Sequence, residues 1–233
     1  MVLVAARNPL NIGAAARAMR NFGFSRLHVV NPYQVAFREA RSAVGAASVL
    51  EEAQEFISVS EAVADCTLVV GTTAARGRET LQPLRRLEDG ARLIRSRLGS
   101  GDVALLFGSE KRGLSNHDLS HCHFLMRIPT DEAHGSMNLG QAVAVCLYEL
   151  IREAKPASRT EKIPSASAAD LERITSLLFE ALQASGYVQQ TPEAAAKTRI
   201  RRLVRSLRIP AADVQSWLGF LRQILWKLGS SQE

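Results

Sequence analysis

The stretch VALLFGSEKRGLSNHDLSHCHFLMRIPTDEAHGSMNLGQAVAVCLYELIREA, residues 103–154, carries the pattern that decides the fold. Val103 to Phe107 and Phe124 to Ile128 are short apolar runs between polar loops, the signature of buried strands. Leu139 to Ala154 has helical composition and is apolar over most of its circumference, which places it against a sheet or another subunit. Working outward, Met1 to Ala5, Leu27 to Val30 and Thr67 to Val70 repeat the strand pattern, with a helical segment from Ile12 to Phe22 between the first two. This alternation predicts a three-layer α/β unit, a parallel sheet with helices on both faces.

The composition changes between Lys155 and Asp170, where two prolines, several serines and mixed charge predict a linker. Beyond it, Ser167 and Asp170 have capping-box-like spacing ahead of Leu171, Ile174, Leu177, Leu178 and Leu182. Thr191 and Pro192 read as an N-cap and first helical residue for a segment reaching Arg208. Ala211 to Leu228 places Val214, Trp217, Leu218, Leu221, Leu225 and Leu228 on one stripe. The expected organisation is an α/β unit over 1–155, a linker over 156–166 and a small all-α unit over 167–233.

The 233 residues are 46% hydrophobic and 22% charged, an ordinary folded composition that excludes disordered and collagen-like classes. No apolar run approaches the roughly 20 residues a membrane helix needs. The start MVLVAARNPLN lacks the form of a secretory signal, so a cytoplasmic location is expected. Three widely spaced cysteines, Cys66, Cys122 and Cys146, predict reduced core residues rather than a disulfide framework. Of the net charge of +6, residues 1–155 supply +2 (18 basic, 16 acidic) and residues 156–233 supply +4 (11 basic, 7 acidic), which points to an anionic partner for the tail. Within it, residues 197–208, KTRIRRLVRSLR, hold six basic residues and no acidic one. Ile200, Leu203, Val204 and Leu207 are expected to face inward, leaving Arg199, Arg202, Arg205 and Arg208 for RNA phosphates.

Three loops follow strand ends, where ligands bind in parallel sheets. In NPLNIGAAARAMRNFG, residues 8–23, a helix is expected to begin after Asn11; small residues permit close backbone approach, while Asn11, Arg17 and Arg20 supply polar groups. In LLFGSEKRGLS, residues 105–115, Gly108 and Gly113 are spaced as in a phosphate-binding loop. Leu114 and Ser115 replace the Lys-Ser/Thr pair such a loop requires, so an NTPase ranks low. Glu110 suits a ligand with hydroxyls or positive charge better than a polyphosphate. In IPTDEAHGSMNLGQAV, residues 128–143, Ser136 and Asn138 flank a helix start, where one of them is needed as a cap. His121, Cys122 and His123 read as strand residues rather than metal ligands, and His134 as a loop histidine.

Taken together, NxxNIGAAARAMRNFG, FGSEKRGLS and IP…GSMNLGQAV resemble, in order and spacing, the signature blocks of the TrmH/SpoU family of SPOUT RNA methyltransferases and its TrmJ-like branch. The resemblance implies an α/β fold with a C-terminal trefoil knot, a homodimer, and S-adenosylmethionine as cofactor with no metal. It implies cofactor binding by Thr72, Thr73, Ala74, Gly108, Glu110, Gly113, Ile128, Pro129, Ser136, Met137, Asn138 and Leu139. Catalysis is expected from Arg17 with Asn11, Glu110, Ser136 and Asn138, and RNA contact from Arg20 and the tail arginines. The implied reaction is methylation of a ribose 2'-hydroxyl in tRNA, at the pyrimidine in position 32; ribosomal RNA, or RNA binding without catalysis, are the alternatives.

Overall fold

The computed structural model describes residues 1–42, 47–74, 82–131, 135–152, 164–188 and 192–229. The elements run β1 (Val2–Val4), α1 (Pro9–Asn21), β2 (His28–Val30), α2 (Gln34–Ser42), α3 (Ala47–Glu51), β3 (Gln54–Phe56), α4 (Val59–Ala62), β4 (Cys66–Thr72), β5 (Leu84–Arg86), α5 (Leu87–Arg97), β6 (Asp102–Phe107), α6 (Asn116–Ser120), β7 (Phe124–Arg127), α7 (Leu139–Arg152), α8 (Ala168–Ala184), α9 (Glu193–Ser206) and α10 (Val214–Gly229). The strands form one parallel sheet in the order β3-β2-β1-β6-β4-β7-β5.

Alternation along the strands sorts the core into two layers. Leu3, Val29, Val70, Leu105, Phe107 and Met126 pack with residues of α1, α2, α3, α5 and α7. Val2, Val4, Val69, Leu106 and Leu125 face the opposite way, toward α4, α6 and the start of α8. The predicted α/β layering therefore holds, and all three cysteines are free and buried. The edge strands β3 and β5 were not expected; QEF and LRR are short, polar and largely exposed, so they carry no apolar run. Helix α1 begins at Pro9 rather than after Asn11, because Asn8 is the cap, its Oδ1 accepting from Leu10 N at 2.9 Å.

Helices α8, α9 and α10 share a separate core that includes Leu171, Ile174, Phe179, Ile200, Val204, Val214, Leu218 and Leu221. Ser167 caps α8 as expected, accepting from Asp170 N at 3.1 Å. Helix α9 corrects the sequence reading. Its inward face is Ala196, Ile200, Arg201, Val204 and Arg205, whereas Leu203 and Leu207 are exposed. Arg205 is 3% exposed and donates through Nε to the His121 carbonyl at 2.9 Å, so it does not stand on the exposed face of α9 as expected. Arg201 grips Glu172 with two hydrogen bonds of 2.9 and 2.8 Å and donates to Ser120 Oγ at 2.9 Å. Buried charges are tolerated where paired in this way, and the pairing fastens α9 to the α6 end of the α/β body.

His121, Cys122 and His123 lie in the connection between α6 and β7, not in a strand as expected. Among the described residues no group of three His, Cys, Asp or Glu is arranged to hold a metal, and no helix is long and apolar enough to cross a membrane. Thr191, His134 and residues 156–163 of the expected linker lie outside the described residues.

Candidate active site

Three segments at the carboxyl ends of the strands enclose a cavity of about 330 Å³. Thr72 ends β4 and Thr73 and Ala74 follow it, Gly108 to Leu114 follow β6, and Ile128, Thr130 and Gly135 to Met137 lie between β7 and α7. The floor is apolar, built from Phe107, Met126, Leu139 and Ala142. Thr72 Oγ1 donates to the Leu106 carbonyl at 2.8 Å, and Thr73 N to the Met126 carbonyl at 3.0 Å, which ties the first segment to both neighbouring strands.

The central loop closes through glycine. Gly113 N donates to the Ser109 carbonyl at 2.8 Å, and Gly113 takes the left-handed φ of +64° that glycine accepts freely. A Cβ on Gly108 would stand 2.0 Å from the Gly113 carbonyl carbon, so only glycine lets the two arms of this loop approach. Buried Leu114 anchors the far arm, and a capping box between Ser115 and Asp118 starts α6 immediately after it.

Glu110 reaches from this loop to the start of α1. Its Oε1 accepts from Asn8 N and Asn11 Nδ2, both at 3.1 Å, and its Oε2 from Arg7 N at 3.2 Å. Partial burial pushes the carboxyl up, but these hydrogen bonds outweigh it and hold it below the usual carboxylate range. Asn11 Oδ1 in turn accepts from Asn138 Nδ2 at 2.8 Å, and Asn138 Oδ1 accepts from Gln141 N at 3.3 Å in the first turn of α7. One chain of hydrogen bonds thus joins all three loops singled out in the sequence. With three donors already on roughly four acceptor directions, Glu110 chiefly positions α1.

Of the residues expected to hold a cofactor, Thr72, Thr73, Ala74, Gly108, Glu110, Gly113, Ile128, Ser136, Met137 and Leu139 line the cavity; Pro129 and Asn138 are exposed and outside its lining. Phe107, Ser109, Lys111, Arg112, Met126, Thr130, Gly135 and Ala142 line it without having been singled out. Strand-end position was the available signal for Phe107 and Met126. A wider depression of about 700 Å³ shares Ser109 to Gly113 and adds Arg7, Asn8 and Asn11. Arg17 and Arg20 are exposed on α1, and neither lines either cavity. Beside them, Leu10 (80% exposed) and Tyr148 (51% exposed) leave an apolar surface on the packed pair α1 and α7.

The model of the SpoU rRNA Methylase family matches residues 1–148. The chain belongs to the SpoU rRNA methylase family. A relative from Sodalis glossinidius (strain morsitans), named tRNA (cytidine/uridine-2'-O-)-methyltransferase TrmJ, is 33% identical over 231 residues, covering 96% of this chain and 90% of that protein. The crystal structure of TrmJ from Z. mobilis ZM4 superposes with a TM-score of 0.82 at 31% identity, over 96% of this chain and 97% of the other. The SpoU methyltransferase AviRb from Streptomyces viridochromogenes, solved in complex with AdoMet, shares the fold at a TM-score of 0.50 and 22% identity, over 67% of this chain and 58% of that one. In this SpoU-family chain the three signature loops are the three that the Glu110, Asn11 and Asn138 bonds tie together.

Proposed function

We propose that this protein transfers a methyl group from S-adenosylmethionine to a ribose 2'-hydroxyl of tRNA. The observation that carries the reading is the cavity beneath the glycine-closed loop, joined by hydrogen bonds to the mouth of α1. Its size lies in the range of small-ligand sites, and the Gly108 approach keeps side chains out of the cradle, leaving backbone groups for an adenosine. The family, the relative that spans nearly the whole chain, and the solved complex of the AviRb neighbour support the reaction and cofactor.

When bound, S-adenosylmethionine supplies a methyl group on a positively charged sulfur, open to in-line attack by an oxygen nucleophile. Thr72 to Ala74, Gly108 to Gly113, Ile128, Ser136, Met137 and Leu139 would hold it, while Asn11, Asn138 and Glu110 fix the entrance to α1. Arg17 is the catalytic cation. A guanidinium stays protonated, so it stabilises the developing alkoxide and grips the target phosphate rather than acting as base; water or phosphate takes the proton. Because Arg17 stands outside the cavity of its own chain, the complete site uses a second copy, docked through the apolar surface of α1 and α7.

The reading extends to a trefoil knot. The chain lays down β4, moves to the edge at β5, returns across β4 to β6, and inserts β7 between β4 and β5. It also extends to a division of labour. Residues 1–155 perform transfer, 156–166 link, and 167–233, whose helices have a core of their own, hold tRNA with Arg199, Arg202 and Arg208, supplemented by Arg20. The target is the pyrimidine at position 32. Mapping 2'-O-methyl groups on total RNA from a deletion strain tests this: loss at tRNA position 32 is expected, loss on ribosomal RNA would replace the substrate, and no loss would leave RNA binding without catalysis. Mixing Arg17→Ala with Ser136→Ala protein should restore partial activity; no complementation would remove the shared site.

A further inference from the structure

At the amino ends of the strands, opposite the carboxyl-end loops of the cofactor cavity, lies a second cavity of about 390 Å³, between the start of β4 (Thr67, Leu68), β5, β7 and helix α9. Its lining brings together Arg85 from β5, Arg97 from the last turn of α5, Arg202 and Arg205 from α9, and Arg208 just beyond α9. No carboxylate is among its described lining residues. Arg26 and Arg173 each stand beside a carboxylate, on Asp102 and Asp170, whereas these five arginines converge from separate elements on a lining without one.

Two donors in this lining, Arg85 Nε and Arg205 Nη1, are unspent. Arg85 lies with its guanidinium carbon 5.7 Å from the centre of the Phe124 ring, and its buried Nε has no hydrogen-bond partner. Arg205 is 3% exposed, and its buried Nη1 likewise has none. Its nearest carboxylate oxygen, on Glu172, is 3.8 Å away, and both Glu172 oxygens are already taken by Arg201. A buried donor left without a partner is unfavourable, and a ligand with acceptor oxygens would relieve it. His123 adds a further donor. Its Nδ1 accepts from Val69 N at 3.0 Å, so the ring proton sits on Nε2. Burial, reinforced by Arg205, Arg97 and Arg208, keeps that ring neutral, its pKa pushed down to about 3.

Arg208 takes a left-handed φ of +50° at the end of α9, a place where glycine is the usual residue. The neighbouring backbone holds it there, through Ala166 N to the Ile209 carbonyl at 2.9 Å and the bridge between Ser165 and Pro210. The chain therefore keeps a guanidinium at the rim against local backbone preference.

We propose that this cavity is a phosphate-binding site whose occupant is a backbone phosphate of the RNA substrate. A group offering only acceptors matches a lining of donors, and guanidinium forks fit phosphate oxygens in pairs. Free phosphate shares this chemistry. RNA is the assignment because exposed Arg208 and Arg199 continue the basic surface from the rim along α9; this source rests on the function proposed above.

The test uses the full chain and the Arg85→Gln/Arg208→Gln variant, with Arg85→Lys as a milder companion that keeps the charge but loses the fork. Calorimetry with inorganic pyrophosphate at low salt should show binding by the native chain, at least tenfold loss in the double variant and a smaller loss in Arg85→Lys. Binding to unmodified tRNA transcript, followed from 50 to 200 mM salt, should show a log K against log salt slope shallower by roughly 0.7–0.9 for each phosphate that the variant no longer neutralises. Loss of pyrophosphate binding with an unchanged tRNA slope would overturn the RNA assignment in favour of free phosphate. Pyrophosphate binding equal in all three proteins, or absent from the native chain, would overturn the site. Because the pyrophosphate arm needs no methyl transfer, its outcome is separate from the fate of the catalytic reading.

Discussion

His121 offers a direct measurement of the junction between α9 and the α/β body. It is 2% exposed, neither ring nitrogen has a hydrogen-bond partner, and the Arg201 and Arg205 guanidiniums lie close by. Burial first, and then those two cations, pushes its pKa from 6.5 down to about 3. The unfolded chain therefore binds one more proton than the folded chain wherever pH lies between these values. Stability must then fall as pH falls through that window, by up to about 1.4 kcal/mol per pH unit. At pH 4.5 the accumulated loss is about 2–3 kcal/mol relative to neutrality, and it changes little for any folded pKa below about 4. His121→Phe keeps a ring beside His117, whose centroid is 5.3 Å away, and removes the proton acceptor. Urea denaturation at pH 7, 6, 5 and 4.5 should show the native chain losing about 2–3 kcal/mol more than the variant across the series. Parallel pH curves for the two proteins would refute a neutral buried ring at this position.

Gly108→Ala should weaken S-adenosylmethionine binding at least tenfold by calorimetry, because a Cβ 2.0 Å from the Gly113 carbonyl carbon forces the loop apart; near-native binding would contradict the backbone cradle. Arg205→Gln should cost about 3 kcal/mol, or roughly 6–12 °C in Tm, by disturbing a buried charge network, whereas Arg199→Gln should leave Tm alone and flatten the salt dependence of tRNA binding. The reverse pattern would restore the exposed role first expected for Arg205. Arg17→Lys keeps the charge and loses the planar fork, so turnover should nearly vanish while cofactor binding survives; near-normal turnover would remove Arg17 from the reaction.

What could be read from the sequence follows burial. Strands β1, β2, β4, β6 and β7 hold residues buried on both sheet faces, so each leaves an apolar run. The edges β3 and β5 need no such run and left no mark. The start of α1 was legible in Asn8 followed by Pro9, a cap and a first-turn proline, but the polar side chain of Asn11 drew the boundary three residues too far. The site loops stood out because Gly108 and Gly113 are disfavoured in strands and helices, and Glu110 lies between them, right after an apolar strand. The inner face of α9 was misread because periodicity treats arginine as a surface residue. Arg201 and Arg205 are buried only because Glu172, twenty-nine residues before Arg201, supplies the opposing charge, and one-dimensional spacing contains no record of that partner.

The fastening of α9 by Arg201, Arg205 and Glu172 has a bearing on accuracy. A tail on a loose tether would raise the local concentration of tRNA near the cavity and leave the choice of nucleotide to the cavity alone. A tail anchored in the body instead keeps Arg199 and Arg208 at a set distance from the cradle. Under the proposed function the protein then works as a caliper: one jaw holds the folded tRNA, and the span between the jaws selects the ribose presented for methylation. Slackening the anchor would blur the address of the mark before it abolished the chemistry, leaving methyl groups scattered over neighbouring nucleotides of the same loop.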